Sequence, residues 1–481
     1  MSNPNEIHVH AALLGEQYTP SGPVVIRLQD GKIASVSPAE APEGPPRLVL
    51  PALVDAHNHA RPLSTTSFGC GGRPLEQWLP MLAVIPAVDP YTAAAASFAR
   101  SLRGGASAVM VHLTRPMGKT SLPDEALEIA RAASDVGLSI GFAVSMRDRN
   151  PLVYGDHEAL LSRLPADVAD RAADTWLRPM PSIDDQLALV DAVAEAVLEA
   201  PGHVDVQYGP TGVQWCSDAL LRAIAVASAH TGRRVHMHLL ETKPQRDWAD
   251  AAYPDGIVNF LTSLGFLSPR LTLAHCVWAK PDELAQIAAR QARIAVNMSS
   301  NLHLFSGRAP VEDMLAADVH VAMGLDGCAL DEDDDGLREL RLFHLMNHSP
   351  AFGTQGMTPQ KALTAACRVG RDTLGLPPGG ILAPGMAADL MVLDLAMLDR
   401  DALGPVDPRD LLFARATQGH IVQIWSAGKL VYDKGVLGLD LEATEDALRS
   451  AYRASLPQSD PLRAVWPAIE AEIAEHYRGC C

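Results

Sequence analysis

His57 and His59 close the stretch Leu48-Val49-Leu50-Pro51-Ala52-Leu53-Val54-Asp55-Ala56-His57-Asn58-His59, and their spacing is that of a metal clamp. An apolar run that ends abruptly in polar residues reads as a buried strand of a parallel sheet, delivering its last side chains to an open rim. Side chains two apart on a strand share a face, so both imidazoles point into one cavity and can hold one ion in common. Three further apolar stretches end in the same way: His236-Met237-His238-Leu239-Leu240-Glu241-Thr242, Ala274-His275-Cys276 and Gly324-Leu325-Asp326-Gly327. Alternation lets His236 and His238 share a face, while His238-x-x-Glu241 sets a carboxylate one short turn beyond an imidazole. A single histidine on an apolar strand ordinarily satisfies its hydrogen bonds in the core. Four strand ends that each finish in His or Asp are a pattern. Three imidazoles and a carboxylate suit a divalent ion such as Zn2+ or Fe2+ with one position left open for water. Such an ion lowers the pKa of that water to about 7. The chemistry is then hydrolysis, with Glu241 able to carry a proton to a leaving group and His275 able to steady the attacking oxygen or the developing oxyanion.

Bringing four strand ends to one mouth requires a repeating architecture. Between 51 and 378 short apolar stretches recur: Ala108–Val111, Ser139–Val144, Val204–Tyr208, Val235–His238, Leu271–His275, Ile294–Asn297 and His320–Gly324. Helix-type segments such as Gln186–Glu199 and Ser217–Thr231 lie between them. With the histidine strand the count is eight, that of a closed (β/α)8 barrel of the TIM type, whose catalytic groups sit at the C-terminal strand ends. The chain ends read differently. Val24–Leu28, the turn Gln29-Asp30-Gly31-Lys32 and Ile33–Val36 form a hairpin pattern, followed by a Pro/Gly/Glu-rich linker from Pro38 to Pro46. β-type stretches return at Ala388–Asp394 and Ile421–Tyr432. The expected fold is α/β: a barrel over 51–378, a small β-sandwich built from 1–50 and 379–440, and a helical appendage over 441–481. In that appendage, Trp466 and Tyr477 suit a surface or subunit contact, and a homodimer or higher homo-oligomer is expected.

With 481 residues, 48% of them hydrophobic, the chain can bury a large core. Its 57 acidic against 39 basic residues, a formal charge of -18, argue against nucleic acid or an anionic membrane as partner. A small molecule fits better. Met1–Glu6 lacks the pattern of a secretory signal and no apolar run reaches a membrane span of roughly 18 residues, so a cytoplasmic location is expected. Seven scattered cysteines without a Cys-x-x-Cys pair read as reduced thiols.

Taken in order, these residues resemble the amidohydrolase superfamily, in its cytosine/guanine/S-adenosylhomocysteine deaminase-like branch, over most of the chain. Val54–His59 is similar to the first-strand metal motif of that branch and His238–Thr242 to its fifth-strand His-x-x-Glu. Ala274-His275-Cys276 matches the sixth strand, Ser299–Gly307 the loop after the seventh, Gly324–Gly327 the eighth, and Gly380–Leu390 the return into the β-sandwich. The resemblance implies His57, His59, His238 and Asp326 as metal ligands, with Glu241, His275 and Asp326 handling protons. Two-metal relatives carry a modified lysine on a middle strand; residues 120 to 242 contain no lysine, so one divalent ion per chain is expected, Zn2+ first and Fe2+ as the alternative. The implied activity is hydrolytic deamination of a nitrogen heterocycle of purine, pyrimidine, pterin or cyclic guanidine type. The same machinery could open a cyclic amide, urea or hydantoin, or displace sulfide or chloride, and a relative that has lost catalysis would be a scaffold.

Candidates for substrate contact are more scattered. Trp78 follows the first strand in a segment that often forms the pocket wall in this branch. Arg147 and Arg149 follow the third strand, and with Arg308 they suit a carboxylate or a carbonyl-rich ring. Gln207 on the fourth strand and Asn301 and His303 after the seventh complete the set; several purine-nucleoside deaminases of this branch have Lys where His303 stands. The run Asp331–Asp335 lacks EF-hand spacing and reads as solvated charge, and Cys328 as a small core side chain.

Overall fold

The computed structural model describes residues 5–327, 332–348 and 356–478; Cys328, Asp331, Cys480 and Cys481 lie outside them. Eight parallel strands form one sheet in chain order: β1 (Leu53–Asn58), β2 (Ala106–Leu113), β3 (Ser139–Met146), β4 (Val204–Pro210), β5 (Val235–Leu239), β6 (Leu271–His275), β7 (Arg293–Val296) and β8 (His320–Met323). Helices pack outside, so the strands are covered on both faces and read as unbroken apolar runs; every residue of β2 is buried. The sheet curls until β8 meets β1. The Asp326 N–H donates to the His57 carbonyl (2.7 Å), and the buried Asp55 carboxylate accepts from the Leu325 N–H (2.9 Å) and from the Asn58 side chain (2.6 Å). The barrel expected from eight strand-like stretches is therefore present and nearly closed.

One boundary differs from the expectation. The run Leu48–His59 is not a single barrel strand, because it divides at Pro51-Ala52. Arg47–Pro51 pairs antiparallel with Leu390–Asp394 and parallel with Ala11–Leu14, and only Leu53–Asn58 enters the barrel. Proline offers no N–H to continue a ladder, and the Ala52 N–H goes to the Asp389 carbonyl (3.0 Å). Both halves are buried almost throughout, so apolar pattern alone cannot show the division.

Beside the barrel, a three-stranded sheet (Glu6–Val9, Val24–Gln29, Lys32–Pro38) faces a six-stranded one. The larger sheet draws Ala11–Leu14, Thr19–Ser21 and Arg47–Pro51 from the start of the chain and Leu390–Asp394, Ile421–Ser426 and Lys429–Asp433 from its last hundred residues. Ile7, Val24, Ile26, Leu390, Val392 and Trp425 share a core between them. Buried Arg371 pairs with the Asp389 carboxylate, whose other oxygen accepts from the Ala427 N–H (2.6 Å), which ties barrel to sandwich.

Leu441–Ser455 and Asp460–Arg478 are helical, as the sequence pattern implies. Their aromatic residues serve the chain itself. Trp466, Ile469 and Ile473 are buried in one cluster with Leu75, Trp78 and Val168, and the Tyr477 hydroxyl accepts from the Tyr154 N–H (3.1 Å). The acidic run is also not simply solvated. Glu332 accepts from Thr65 Oγ1 (3.0 Å) and the Thr66 N–H (3.1 Å), while buried Asp335 caps the helix Gly336–Met346 by accepting from the Arg338 N–H (3.1 Å). Free N–H groups at a helix start reward such acids. Among the described residues no helix is long and apolar enough to cross a membrane.

Trp466→Ala removes the centre of the cluster that docks the last helix. It should cost about 3–5 kcal/mol in chemical denaturation, and a loss indistinguishable from a surface substitution would contradict this packing.

Candidate metal centre and active site

The C-terminal ends of β1, β5 and β8 bring four side chains to one point. His59 Nε2 lies 2.8 Å and His57 Nε2 3.3 Å from Asp326 Oδ1, and His238 Nε2 lies 3.5 Å from His59 Nε2. Gly324 makes the approach possible, since a Cβ there would clash with Asn297 Oδ1 and meet the His57 main-chain nitrogen at 2.8 Å. The second ring nitrogens are all engaged. Nδ1 of His59 donates to the His112 carbonyl (2.7 Å), Nδ1 of His238 donates to the Thr211 carbonyl (2.8 Å), and Nδ1 of His57 faces His236 Nε2 (2.8 Å). Carbonyl oxygens only accept, so His59 and His238 carry their protons on Nδ1 and present bare Nε2 lone pairs to each other. Lone pairs 3.5 Å apart in a dry site repel unless positive charge lies between them. Among the described residues, His57 Nε2 and Asp326 Oδ1 are buried without a hydrogen-bond partner. The donor set fits a divalent cation.

Electrostatics agree. Burial pushes His57 down to about 3 and His238 well below the usual histidine range, which keeps both rings neutral, the form that binds metal. Burial opposes ionisation of Asp326, but His59 and His57, when protonated on Nε2, and the Arg61 guanidinium outweigh it and hold the carboxyl well below its ordinary value. Ser300 Oγ donates to its other oxygen. Glu241 is treated oppositely: burial dominates and pushes it up to about 7. His275 Nε2 lies 3.8 Å from Glu241 Oε2, and His275 Nδ1 lies 2.8 Å from Asn301 Oδ1. Leu240, His275 and Asp326 all take left-handed backbone (φ 51°, 74° and 60°), strain of the kind that gathers at functional sites.

A cavity of about 230 Å³ opens onto His59, His238, Glu241, His275 and Asp326. Its walls are aromatic: Trp78, Tyr154, Trp176, Trp215 and Tyr477, the last from the final helix. Of the expected substrate contacts, Trp78 and Arg147 line this cavity and the others do not. Arg149 donates to the Val213 carbonyl (2.9 Å) and lies over Trp248. Arg308 is exposed and donates to the Met346 carbonyl (2.8 Å). Gln207 is buried within the barrel and donates to Asp205 Oδ2 (2.8 Å) and the Thr373 carbonyl (2.7 Å). Asn301 reaches the site only through His275, and His303 is half-buried outside the cavity wall. Sequence reasoning missed Glu76, which accepts from Thr242 and, at 3.3 Å, from the Tyr154 hydroxyl at the cavity edge. It also left open His236, whose two-residue offset from His238 was the available signal.

Residues 48–431 match the Amidohydrolase family. The chain belongs to the amidohydrolase family. Among curated relatives of this amidohydrolase, the 5'-deoxyadenosine deaminase of Methanosarcina barkeri is 30% identical over 253 residues, 52% of this chain and 58% of that protein. The 5-methylthioadenosine/S-adenosylhomocysteine deaminase of Moorella thermoacetica is 27% identical over 441 residues, 88% of this chain and 94% of the other. Among solved structures, an adenosine deaminase from Xanthomonas campestris with bound zinc superposes at a TM-score of 0.76 and 21% identity, covering 94% of this chain and 98% of that one, a likeness of fold.

Zn2+ at about 100-fold above its Kd should stabilise the metal-free amidohydrolase by about 2.7 kcal/mol, read as a rise in melting temperature. His57→Ala or Asp326→Ala should abolish the rise; an equal rise in either variant would place the ion elsewhere.

Proposed function

We propose that this amidohydrolase is a mononuclear, zinc-dependent hydrolase that deaminates an amino-substituted nitrogen heterocycle, with His57, His59, His238 and Asp326 holding the ion. The observation that carries the reading is the convergence of His57, His59, His238 and Asp326 beside Glu241 and His275 at the mouth of one cavity, where burial raises Glu241 to about 7 and its neighbours lower Asp326. Two neighbouring carboxyl groups with pKa values pushed apart can act as base and acid in one reaction. A divalent ion in this position supplies Lewis acidity, making water nucleophilic near neutral pH.

The side chains account for the remaining steps. Asp326 takes a proton from the water that adds to the amino-bearing carbon. Glu241, protonated near neutrality, delivers a proton to the nitrogen side of the substrate, the C–N bond breaks, and ammonia leaves while the ring keeps the oxygen. His275, oriented by Asn301, faces the developing oxyanion. Trp78 and the other cavity aromatics offer ring faces to a flat heterocycle, and Arg147 offers hydrogen bonds to its polar edge. Adenine nucleosides are the first substrates to test, because both relatives described above are named for deaminating them. The same reading takes the span from Leu53 to about 378 as the catalytic barrel, the chain up to Pro51 with 379–440 as the sandwich, and the protein as a cytoplasmic homo-oligomer.

Zinc-loaded protein should release ammonia from at least one of 5'-deoxyadenosine, methylthioadenosine, S-adenosylhomocysteine, guanine, pyrimidines, pterins or cyclic guanidines. Glu241→Gln should keep its metal and lose roughly 10²-fold or more in kcat. Full turnover in that variant would remove Glu241 from the reaction. A co-product of chloride, sulfide or a ring-opened amide, identified by mass spectrometry, would replace deamination with displacement or ring opening.

A further inference from the structure

His57 differs from the other imidazoles at the centre in one respect. His59 and His238 hand their Nδ1 protons to main-chain carbonyls, which no substitution at the acceptor residue removes. His57 instead leans on a side chain: its Nδ1 lies 2.8 Å from His236 Nε2, the two rings are within 8° of parallel, and both residues are fully buried. An imidazole nitrogen can donate or accept, so this contact has two possible directions. If His236 Nε2 were the donor, His57 would carry its proton on Nε2, aimed at Asp326 Oδ1 3.3 Å away and occupying the place of a cation. If His236 Nε2 accepts, His57 Nε2 is bare and can bind. His236 Nδ1 finds no partner among the described residues.

We infer that His236 is a positioning residue for the metal centre: by accepting the His57 Nδ1 proton through its own Nε2, it sets the tautomer and ring orientation that turn the His57 Nε2 lone pair toward the ion. The inference rests on the metal reading given under the proposed function. Its consequence is a separation of two properties that a merely structural residue would change together. Any cost of repacking the fully buried ring falls on every replacement at 236, whereas metal affinity should follow the presence of an acceptor for the His57 Nδ1 proton.

His236→Met and His236→Gln test this in the full-length chain. The methionine fills similar volume without a strong acceptor, and the glutamine Oε1 can accept from Nδ1–H. In chelator competition, His236→Met should bind Zn2+ roughly 10- to 100-fold more weakly than the parent, while the metal-free melting temperatures of the methionine and glutamine variants stay close to each other. His236→Gln should regain most of that affinity, and the Co2+ d–d absorption should be altered in the methionine variant and restored in the glutamine variant. Parental affinity in His236→Met, equal weakness in both variants, or a metal-free melting temperature that falls in step with affinity would overturn the role. Failure of the parent to bind Zn2+ at all would instead overturn the metal reading on which it stands.

Discussion

Bare imidazole lone pairs and an ionised carboxylate oxygen, facing one another across a few ångströms of water-poor protein, need a positive charge among them. Much of the barrel mouth serves that need. The Asp326 carboxylate is nearly inaccessible, and the Arg61 guanidinium, 3.8 Å from Oδ1, matches its charge only in part. Leaving a buried charge unmatched costs about 3–5 kcal/mol, a large fraction of the stability of a domain. The donor set fits a cation, and its imidazoles are held by hydrogen bonds of His59 and His238 to main-chain carbonyls and by the contact of His57 with His236.

The same burial produces two opposite carboxyl groups. Asp326 is lowered by the positive and N–H groups around it, whereas at Glu241, beside the carboxyl groups of Asp326 and Glu76, burial prevails and the value rises to about 7. Environment rather than residue type pushes the two carboxyl groups in opposite directions. His275 sits between these roles, its outer nitrogen turned toward Glu241 and its inner nitrogen tied to Asn301. The aromatic wall completes the site, and Tyr477 shows that the last helix belongs to the cavity as much as to the surface.

Most of the strands and the convergent residues were legible because a parallel barrel buries each strand on both faces and releases polar side chains only at its rim. The apolar runs and the abrupt appearance of His57, His59, His238, His275 and Asp326 are two sides of that single constraint. The break at Pro51-Ala52 was not legible, since a strand buried in a sandwich and one buried in a barrel have the same composition. The arginines were legible only as charges: Arg147 reaches the cavity, while Arg149 turns to Val213 and Trp248, two residues away in sequence yet on a different path. The acids of the Asp331–Asp335 run looked solvated because a helix start needing a cap at Gly336 is invisible in a charge count.

The sequence by itself determined the barrel, the identity of the side chains delivered to its mouth and the absence of a middle-strand lysine, since these follow from local periodicity and residue chemistry. Only the tertiary structure decided which nitrogen of each histidine faces inward, which carboxyl group is ionised and which aromatic rings wall the cavity. Tautomers and pKa values depend on neighbours far away in the chain: Thr211 for His238, His112 and Asp326 for His59, His236 for His57. No pattern along a single strand records what lies across the barrel from it.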